Sequence, residues 1–261
     1  MKRPSFGRVL RVAVLISALA SVVASAREYY ELRTYHFQTA EAAGMFDKAM
    51  EKVGVAALQE AGAPVIGVFK RKPEQGKEES HERYLLAASP ELEGFVEHNE
   101  FLVDAIGDNE ELKKYLSTPK KDPAFTRIDS TLMVAFKGFP ELADPEGDGG
   151  GERFFELRVY ESHDELKGRL KVEMFNEGGE IKLFKETGLR VVFFGQSIIG
   201  PNLPNLTYML VHENEAEKKK TWDAFKSSPA WDKLKKEERY ADTVSKIDAP
   251  LLVAMPYSPL K

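Results

Sequence analysis

Apolar and polar positions alternate along several short segments of the chain, and segments with helical spacing separate them. The segments Tyr29–Tyr35 (YYELRTY) and Phe154–Tyr160 (FFELRVY) both alternate, which predicts a β-strand in each place. A stripe with helical spacing follows the first strand and consists of Phe46, Met50, Val53 and Ala57. The spacing of apolar and polar residues in each half therefore predicts the order strand, helix, strand, strand, helix, strand.

The two similar heptapeptides belong to an internal repeat. Three further landmarks recur in the same order, at offsets between 119 and 126 residues. They are Glu60-Ala61-Gly62 with Glu186-Thr187-Gly188, Glu82–Ala87 with Leu206–Val211, and Arg127–Phe136 with Lys246–Met255. Aligning Glu82–Ala87 with Leu206–Val211 makes Tyr84 the equivalent of Tyr208 in the repeat. Four landmarks in register indicate a duplication.

The repeated unit predicts an α+β fold. A βαββαβ unit is the ferredoxin-like arrangement, with both helices on one face of an antiparallel sheet. The bare face must be covered, and two tandem units can cover each other within one chain. We predict units at residues 28–139 and 153–257, joined by an acidic, glycine-rich linker at 140–152, with their sheets facing each other as an intrachain barrel.

The first residues predict an export signal rather than a part of the fold. Four positive charges precede the apolar stretch Val12–Ala24, and Ala24-Ser25-Ala26 fits a cleavage site. The stretch is short for a membrane-spanning helix, which needs about 20 residues. We therefore predict residues 1–26 to be a signal peptide cleaved after Ala26, giving a periplasmic or secreted protein with no membrane contact. An uncleaved N-terminal anchor is the alternative.

Composition narrows the possible partners. The 261 residues carry a net charge of −5, which becomes −9 without the four positive charges of the signal. With no basic tract, the sequence predicts no nucleic-acid partner. The chain has no cysteine, so disulfides and thiolate metal sites are excluded.

The duplicated strand carries the candidate site residues. Side chains in a strand alternate between two faces. The apolar sets are expected to meet the helices; they are Tyr30, Leu32 and Thr34 in one strand and Phe155, Leu157 and Val159 in the other. The polar sets are expected to point between the two sheets; they are Glu31, Arg33 and Tyr35, and Glu156, Arg158 and Tyr160. With Tyr84 and Tyr208, these polar residues are the candidate ligand-binding residues.

Two main interpretations of the polar sets stay open, with simple surface exposure as a third. Buried charges are costly unless they are paired, so each Glu and Arg can form a structural ion pair that orders its strand. Alternatively, the sets form the polar floor of a pocket for an anionic or aromatic ligand, because the planar guanidinium group matches a carboxylate.

Three motifs of the chain resemble the NIPSNAP family. YELRTY (Tyr30–Tyr35), NLTYMLVH (Asn205–His212) and WDAFKSSPAW (Trp222–Trp231) are similar to the first strand, third strand and closing helix of that family's repeat. The similarity runs from about Phe154 to Tyr257. The first half departs from it, with His81 where the second half has Asn205. The resemblance implies the ferredoxin-like, dimeric α/β-barrel fold but no particular catalytic mechanism.

Motifs for catalysis or cofactor binding are absent from the sequence. The five histidines lack metal-ligand spacing, and neither a G-x-S-x-G nucleophile nor a dinucleotide-binding loop occurs. We therefore predict no metal and no cofactor. Trp222, Phe225 and Trp231 are predicted to anchor a helix to the core, and Lys218, Lys219, Lys220 and Lys226 to form part of a solvated face.

Three functions are compatible with the sequence. The first is an exported barrel that binds a small anionic or aromatic ligand between its sheets. The second is a cofactor-free monooxygenase or isomerase that holds an aromatic substrate against the tyrosines. The third is a non-catalytic interaction module of the cell envelope. A homo-oligomer is allowed but not required, since tandem units can close the barrel alone.

Overall fold

The first half of the chain forms one βαββαβ unit. The computed structural model describes residues 27–63, 65–76, 78–97, 100–145 and 151–261. The unit contains β1 (Tyr29–His36), α1 (Ala40–Ala49), α2 (Val55–Glu60), β2 (Val65–Arg71), β3 (Arg83–Ser89), α3 (Glu93–Glu97), α4 (Phe101–Asp104), α5 (Glu110–Leu116) and β4 (Arg127–Ala135). A π-helical turn at Met50–Gly54 joins α1 to α2. The side chain of Thr39 caps α1 by accepting a hydrogen bond from the Ala42 amide.

The second half repeats this order. It contains β5 (Phe154–Glu161), α6 (Glu165–Asn176), α7 (Glu180–Glu186), β6 (Arg190–Ile199), β7 (Asn205–His212), α8 (Glu215–Ser227), α9 (Pro229–Leu234), β8 (Lys246–Asp248) and β9 (Leu251–Ala254). The strands β8 and β9 fill the place of one strand that is interrupted at Pro250, which has no amide hydrogen to donate to a neighbour.

The two sheets join edge to edge rather than stacking as separate layers. Each unit has the ferredoxin-like strand order, β4-β1-β3-β2 in the first and β9-β5-β7-β6 in the second. Antiparallel pairing of β2 with β9 and of β4 with β6 joins the units at both edges. The result is a closed antiparallel barrel, which leaves neither edge of the paired sheets open. The predicted fold class and the intrachain barrel are confirmed.

Both faces of the barrel wall are buried, but in different surroundings. The interior holds an apolar cluster to which both units contribute, and Phe69 meets Phe155 there with ring centroids 4.9 Å apart. The outer face of each unit packs against its own helices, around Phe46 in the first unit and Phe184 in the second. The β3 and β7 strands are therefore buried along their whole length.

The predicted directions of the two strand faces are wrong. Tyr30 and Leu32, and their counterparts Phe155 and Leu157, pack inside the barrel rather than against the helices. The polar sets lie on the outer face, where Tyr35 packs against Phe46 of α1. The alternation itself is right, because each set does share one face. The error lies in the assumption that the apolar set must meet the helices, since the barrel interior here is apolar too.

Segments at the unit boundary are anchored to the barrel. Residues 142–145 precede the undescribed part of the linker, and the Ala143 amide donates to the carbonyl of Val192 in β6. After β9, the chain returns to the first unit, where Ser258 Oγ accepts a hydrogen bond from the Val68 amide and Leu260 packs in the interior cluster.

The predicted signal peptide lies outside the described residues and stays a prediction. No helix in the described ranges combines the length and apolar character needed to span a membrane.

Candidate functional site

A connected polar network lies between the second sheet and α8. It is built from one face of β5, where strand alternation brings Glu156, Arg158 and Tyr160 to the same side. The neighbouring strand β7 adds Tyr208, which is directly opposite Arg158 in the pairing register. The structure thus brings together four of the eight predicted site residues.

Glu156 is the centre of the network. Its carboxylate accepts a hydrogen bond from Trp222 Nε1 of α8 at 2.9 Å, lies 3.1 Å from Nε2 of His212, and pairs with Nη1 of Arg158. Only 3% of the residue is exposed. Burial alone would raise its pKa, but the hydrogen bonds from His212 and Trp222 and the charge of Arg158 outweigh burial and lower the pKa to about 2. Glu156 is therefore ionised at neutral pH.

Arg158 connects this carboxylate to a pair of tyrosines. Its Nη2 donates to Tyr160 Oη at 3.0 Å, and Tyr160 Oη lies 2.9 Å from Tyr208 Oη. Its guanidinium carbon also lies 4.8 Å from the centroid of the Trp222 ring, a cation–π distance. Burial raises the pKa of both tyrosines, so both hydroxyls stay protonated at neutral pH.

A cleft of about 390 Å³ opens over Glu156 and Arg158. Trp222 forms its aromatic wall, and the remaining lining residues come from α8: Glu215, Lys218, Lys219, Asp223 and Lys226. Lys218, Trp222 and Lys226 recur every four residues and therefore share one face of the helix. The guanidinium group of Arg158 reaches the floor of the cleft, where its side chain is 17% exposed.

The equivalent residues of the first unit are sealed. Glu31 Oε1 accepts from Arg33 Nε at 2.7 Å and from Ser130 Oγ at 2.6 Å. Tyr35 packs in an aromatic cluster, 4.5 Å from the Phe46 ring centroid. Arg33 is 7% exposed. This geometry matches the structural ion pair that was one of the two interpretations of the polar sets.

The predicted equivalence of Tyr84 and Tyr208 is wrong by one residue. Tyr208 is opposite Arg158, whereas the residue opposite Arg33 is Leu85. Tyr84 lies inside the barrel and donates to Glu82 Oε2 at 2.7 Å. A shift of one residue moves a strand side chain to the other face, so the two tyrosines occupy different environments.

Helix α8 contributes to this site, although its sequence predicts only a core anchor and a solvated face. Trp222 was assigned to the core and the lysines to a solvated face. Phe225 does pack in the core, but Trp222 also donates to Glu156 and lines the cleft. The four-residue spacing of Lys218, Trp222 and Lys226 was the signal that could have indicated a shared, functional helix face.

The comparisons with known proteins agree with this architecture. Residues 155–259 match the NIPSNAP family model. The second unit is therefore similar to NIPSNAP domains. Among curated proteins, none matches the chain.

Solved structures share the fold of the entire barrel. A putative monooxygenase from Lactobacillus acidophilus NCFM aligns with a TM-score of 0.56 at 12% identity, covering 87% of this chain and 94% of its own. A putative monooxygenase from Fusobacterium nucleatum subsp. nucleatum gives 0.55 at 11% identity, with 91% and 94% coverage. An anthrone oxidase-like protein gives 0.50 at 12% identity, with 89% and 93% coverage. At these identities the likeness concerns the fold alone.

Proposed function

We propose that the protein binds a small aromatic carboxylate in the cleft beneath α8. The observation that carries the proposal is the combination of Arg158 on the floor of the cleft with Trp222 as its wall. An arginine offers planar, bidentate hydrogen bonds to a carboxylate, and an indole ring packs against an aromatic group.

The charge balance of the cleft favours an anion. Each carboxylate that lines it already has a cation: Glu156 pairs with Arg158, Glu215 with Lys72, and Asp223 with Lys219. Lys226 forms no ion pair among the described residues, and Lys218 Nζ lies 3.9 Å from the carboxylate of Glu156, with which Arg158 is already paired. Two additional ammonium groups at the mouth give the cleft an excess of positive charge.

The proposed site differs in place from the sequence-based expectation. That expectation put the ligand between the two sheets, whereas the polar set of β5 faces the helices outside the barrel. The expected ligand chemistry, anionic or aromatic, is the same. The proposal concerns the second unit only, since Arg33 in the first unit is enclosed with Glu31.

Benzoate binding to the full chain, measured by isothermal titration calorimetry, tests the proposal. We expect benzoate to bind and Arg158→Met to weaken binding at least tenfold, about 1.4 kcal/mol, because the guanidinium group is lost. Arg33→Met is the matched control from the other unit and should leave the affinity unchanged. Benzyl alcohol, which lacks the charge, should bind more weakly than benzoate.

A second variant separates binding from folding. Arg158→Met leaves the buried, ionised Glu156 without its partner and can destabilise the protein. Lys226 is exposed and forms no ion pair within the described part of the chain, so Lys226→Met should fold normally and still weaken benzoate binding. The proposal is wrong if benzoate does not bind, or if Arg33→Met weakens binding as much as Arg158→Met.

The oxygenase or isomerase alternative has less support from this geometry. It requires the tyrosines to contact an aromatic substrate. Tyr160 Oη is already occupied by Arg158 and Tyr208, and neither tyrosine is among the residues that line the cleft. Proton transfer also requires a group with a pKa near the working pH, and the pKa of Glu156 lies far below neutrality.

A further inference from the structure

A second cavity lies inside the barrel, at the end where β1 finishes. It has a volume of about 210 Å³ and is lined by side chains from both units. Its wall includes Thr34, Tyr84 and Thr131 from the first unit and Val159 and Thr207 from the second. These residues all face the barrel interior, so the cavity is separated from the cleft beneath α8 by the barrel wall.

Three threonine hydroxyls line this cavity without a hydrogen-bond partner among the described residues. Thr34, Thr131 and Thr207 come from β1, β4 and β7, and none of their hydroxyls forms a hydrogen bond within the described ranges. Thr207 is only 2% exposed. Because these hydroxyls line the cavity, each can donate a hydrogen bond to, and accept one from, a polar molecule that enters it.

Three of the four carboxylates that line the cavity are paired with a cation, whereas the fourth, Asp248, forms no ion pair among the described residues. Glu82 Oε2 accepts from Arg71 Nε at 2.6 Å, and Glu161 Oε1 lies 3.0 Å from Lys246 Nζ. Asp129 Oδ2 lies 2.9 Å from His36 Nε2 and also pairs with Arg127. These carboxylates can still accept hydrogen bonds, but they provide no excess positive charge that would attract an anion.

We propose that this cavity binds a small, uncharged, polyhydroxylated molecule, either a monosaccharide or a polyol. Such a molecule both donates and accepts hydrogen bonds at closely spaced hydroxyls, as the threonines and carboxylates require. Tyr84, Leu157 and Val159 provide apolar contacts for its C–H groups. A wider opening of about 680 Å³ is lined by residues 71–74 and 78–82, and it shares His36 and Glu82 with the cavity.

The test uses saturation-transfer NMR with the full chain and a panel of glucose, galactose, ribose and glycerol. We expect at least one of these to bind the parent protein. Thr207→Val removes one hydroxyl with almost no change of shape and should weaken that binding at least tenfold. Thr187→Val is the matched control, because Thr187 lies at the end of α7 and donates to the Leu183 carbonyl instead of lining the cavity.

Two further measurements make the outcome clear. Thr131→Val should also weaken binding, which guards against a folding defect specific to Thr207→Val. Benzoate binding should be the same in Thr207→Val and in the parent, since the two sites lie on opposite sides of the barrel wall. The proposal is overturned if no member of the panel binds, or if Thr207→Val binds as well as the parent.

Discussion

Glu156 and Glu31 occupy equivalent positions, yet their neighbours give them different roles. Ser130 donates to Glu31, whereas the repeat places Ala249 at the corresponding position of the second unit, where no hydroxyl is available. Trp222 and His212 satisfy Glu156 instead. Because these partners come from α8 and the end of β7, the carboxylate is tied to the cleft rather than enclosed within the sheet.

Glu156→Gln should destabilise the protein at neutral pH. The pKa of Glu156 falls from its ordinary value of 4.5 to about 2 on folding. A depressed carboxyl pKa contributes stability that is complete above about pH 4.5 and is lost as the pH falls toward 2. The shift corresponds to about 3 kcal/mol. Urea unfolding should therefore show that loss at pH 7, and the difference between parent and variant should shrink at pH 3.

Glu213 provides the control for this prediction. Arg153 and Arg190 lower its pKa to about 2 as well. Its side chain is 40% exposed, however, so solvent screens the interaction and Glu213→Gln should cost less than about 1 kcal/mol. If Glu156→Gln loses the same amount at pH 7 and pH 3, ionisation is not what stabilises the fold at this residue.

The strands show how much of the fold could be predicted from sequence. Alternation and the repeat correctly indicated β1, β5 and the closed pair of sheets. They could not indicate which face meets the helices, because a strand between an apolar interior and a helix layer is buried on both sides. For the same reason the alignment of Tyr84 with Tyr208 could slip by one residue, since β3 and β7 are apolar on both faces.

The candidate site depends on a contact between residues that are far apart in the sequence. Glu156 and Trp222 are separated by 66 residues, and only the packing of α8 on the second sheet brings them together. Strand alternation grouped Glu156, Arg158 and Tyr160 correctly. It gave no means of selecting their partner among the helices, so the tryptophan was assigned to the core.

Helix α8 covers the cleft, and its first turn should be sensitive to substitution. Asn214 caps the helix by accepting a hydrogen bond from the Glu217 amide, and the Glu217 side chain accepts one from the amide of Glu213, the residue before the cap. Asn214→Ala should lower the free energy of unfolding by about 1 kcal/mol. Asn214→Asp should retain the stability, because it can accept the same bond and its charge suits the helix N-terminus.

Ser228 is the comparison for this cap in a urea titration. It occupies the same position at the start of α9, but its side chain makes no capping hydrogen bond. Ser228→Ala should therefore change the stability by only a few tenths of a kcal/mol, well below the loss of a bonded cap. Equal losses for Asn214→Ala and Ser228→Ala would contradict a role for the side-chain bond.

The closed barrel couples the two units into one interior. Tyr30 of the first unit lies 5.1 Å from Phe193 of the second between ring centroids, and Phe69 meets Phe155 in the same cluster. Backbone hydrogen bonds also join the two units at both sheet edges, where β2 pairs with β9 and β4 pairs with β6. Neither unit can leave the barrel without exposing this apolar interior and two sheet edges.

This coupling predicts that the duplicated units unfold together. Phe155→Ala removes a fully buried ring from the interior and should cost about 3–5 kcal/mol. Hydrogen exchange should then show an equal loss of protection for the slowest amides of β1 and β5, because both exchange through the same global opening. Phe46→Ala, which removes a ring from the helix layer of the first unit alone, should reduce protection in β5 as well as in β1. If each substitution affects only the strands of its own unit, the units open independently and the barrel is two domains in contact.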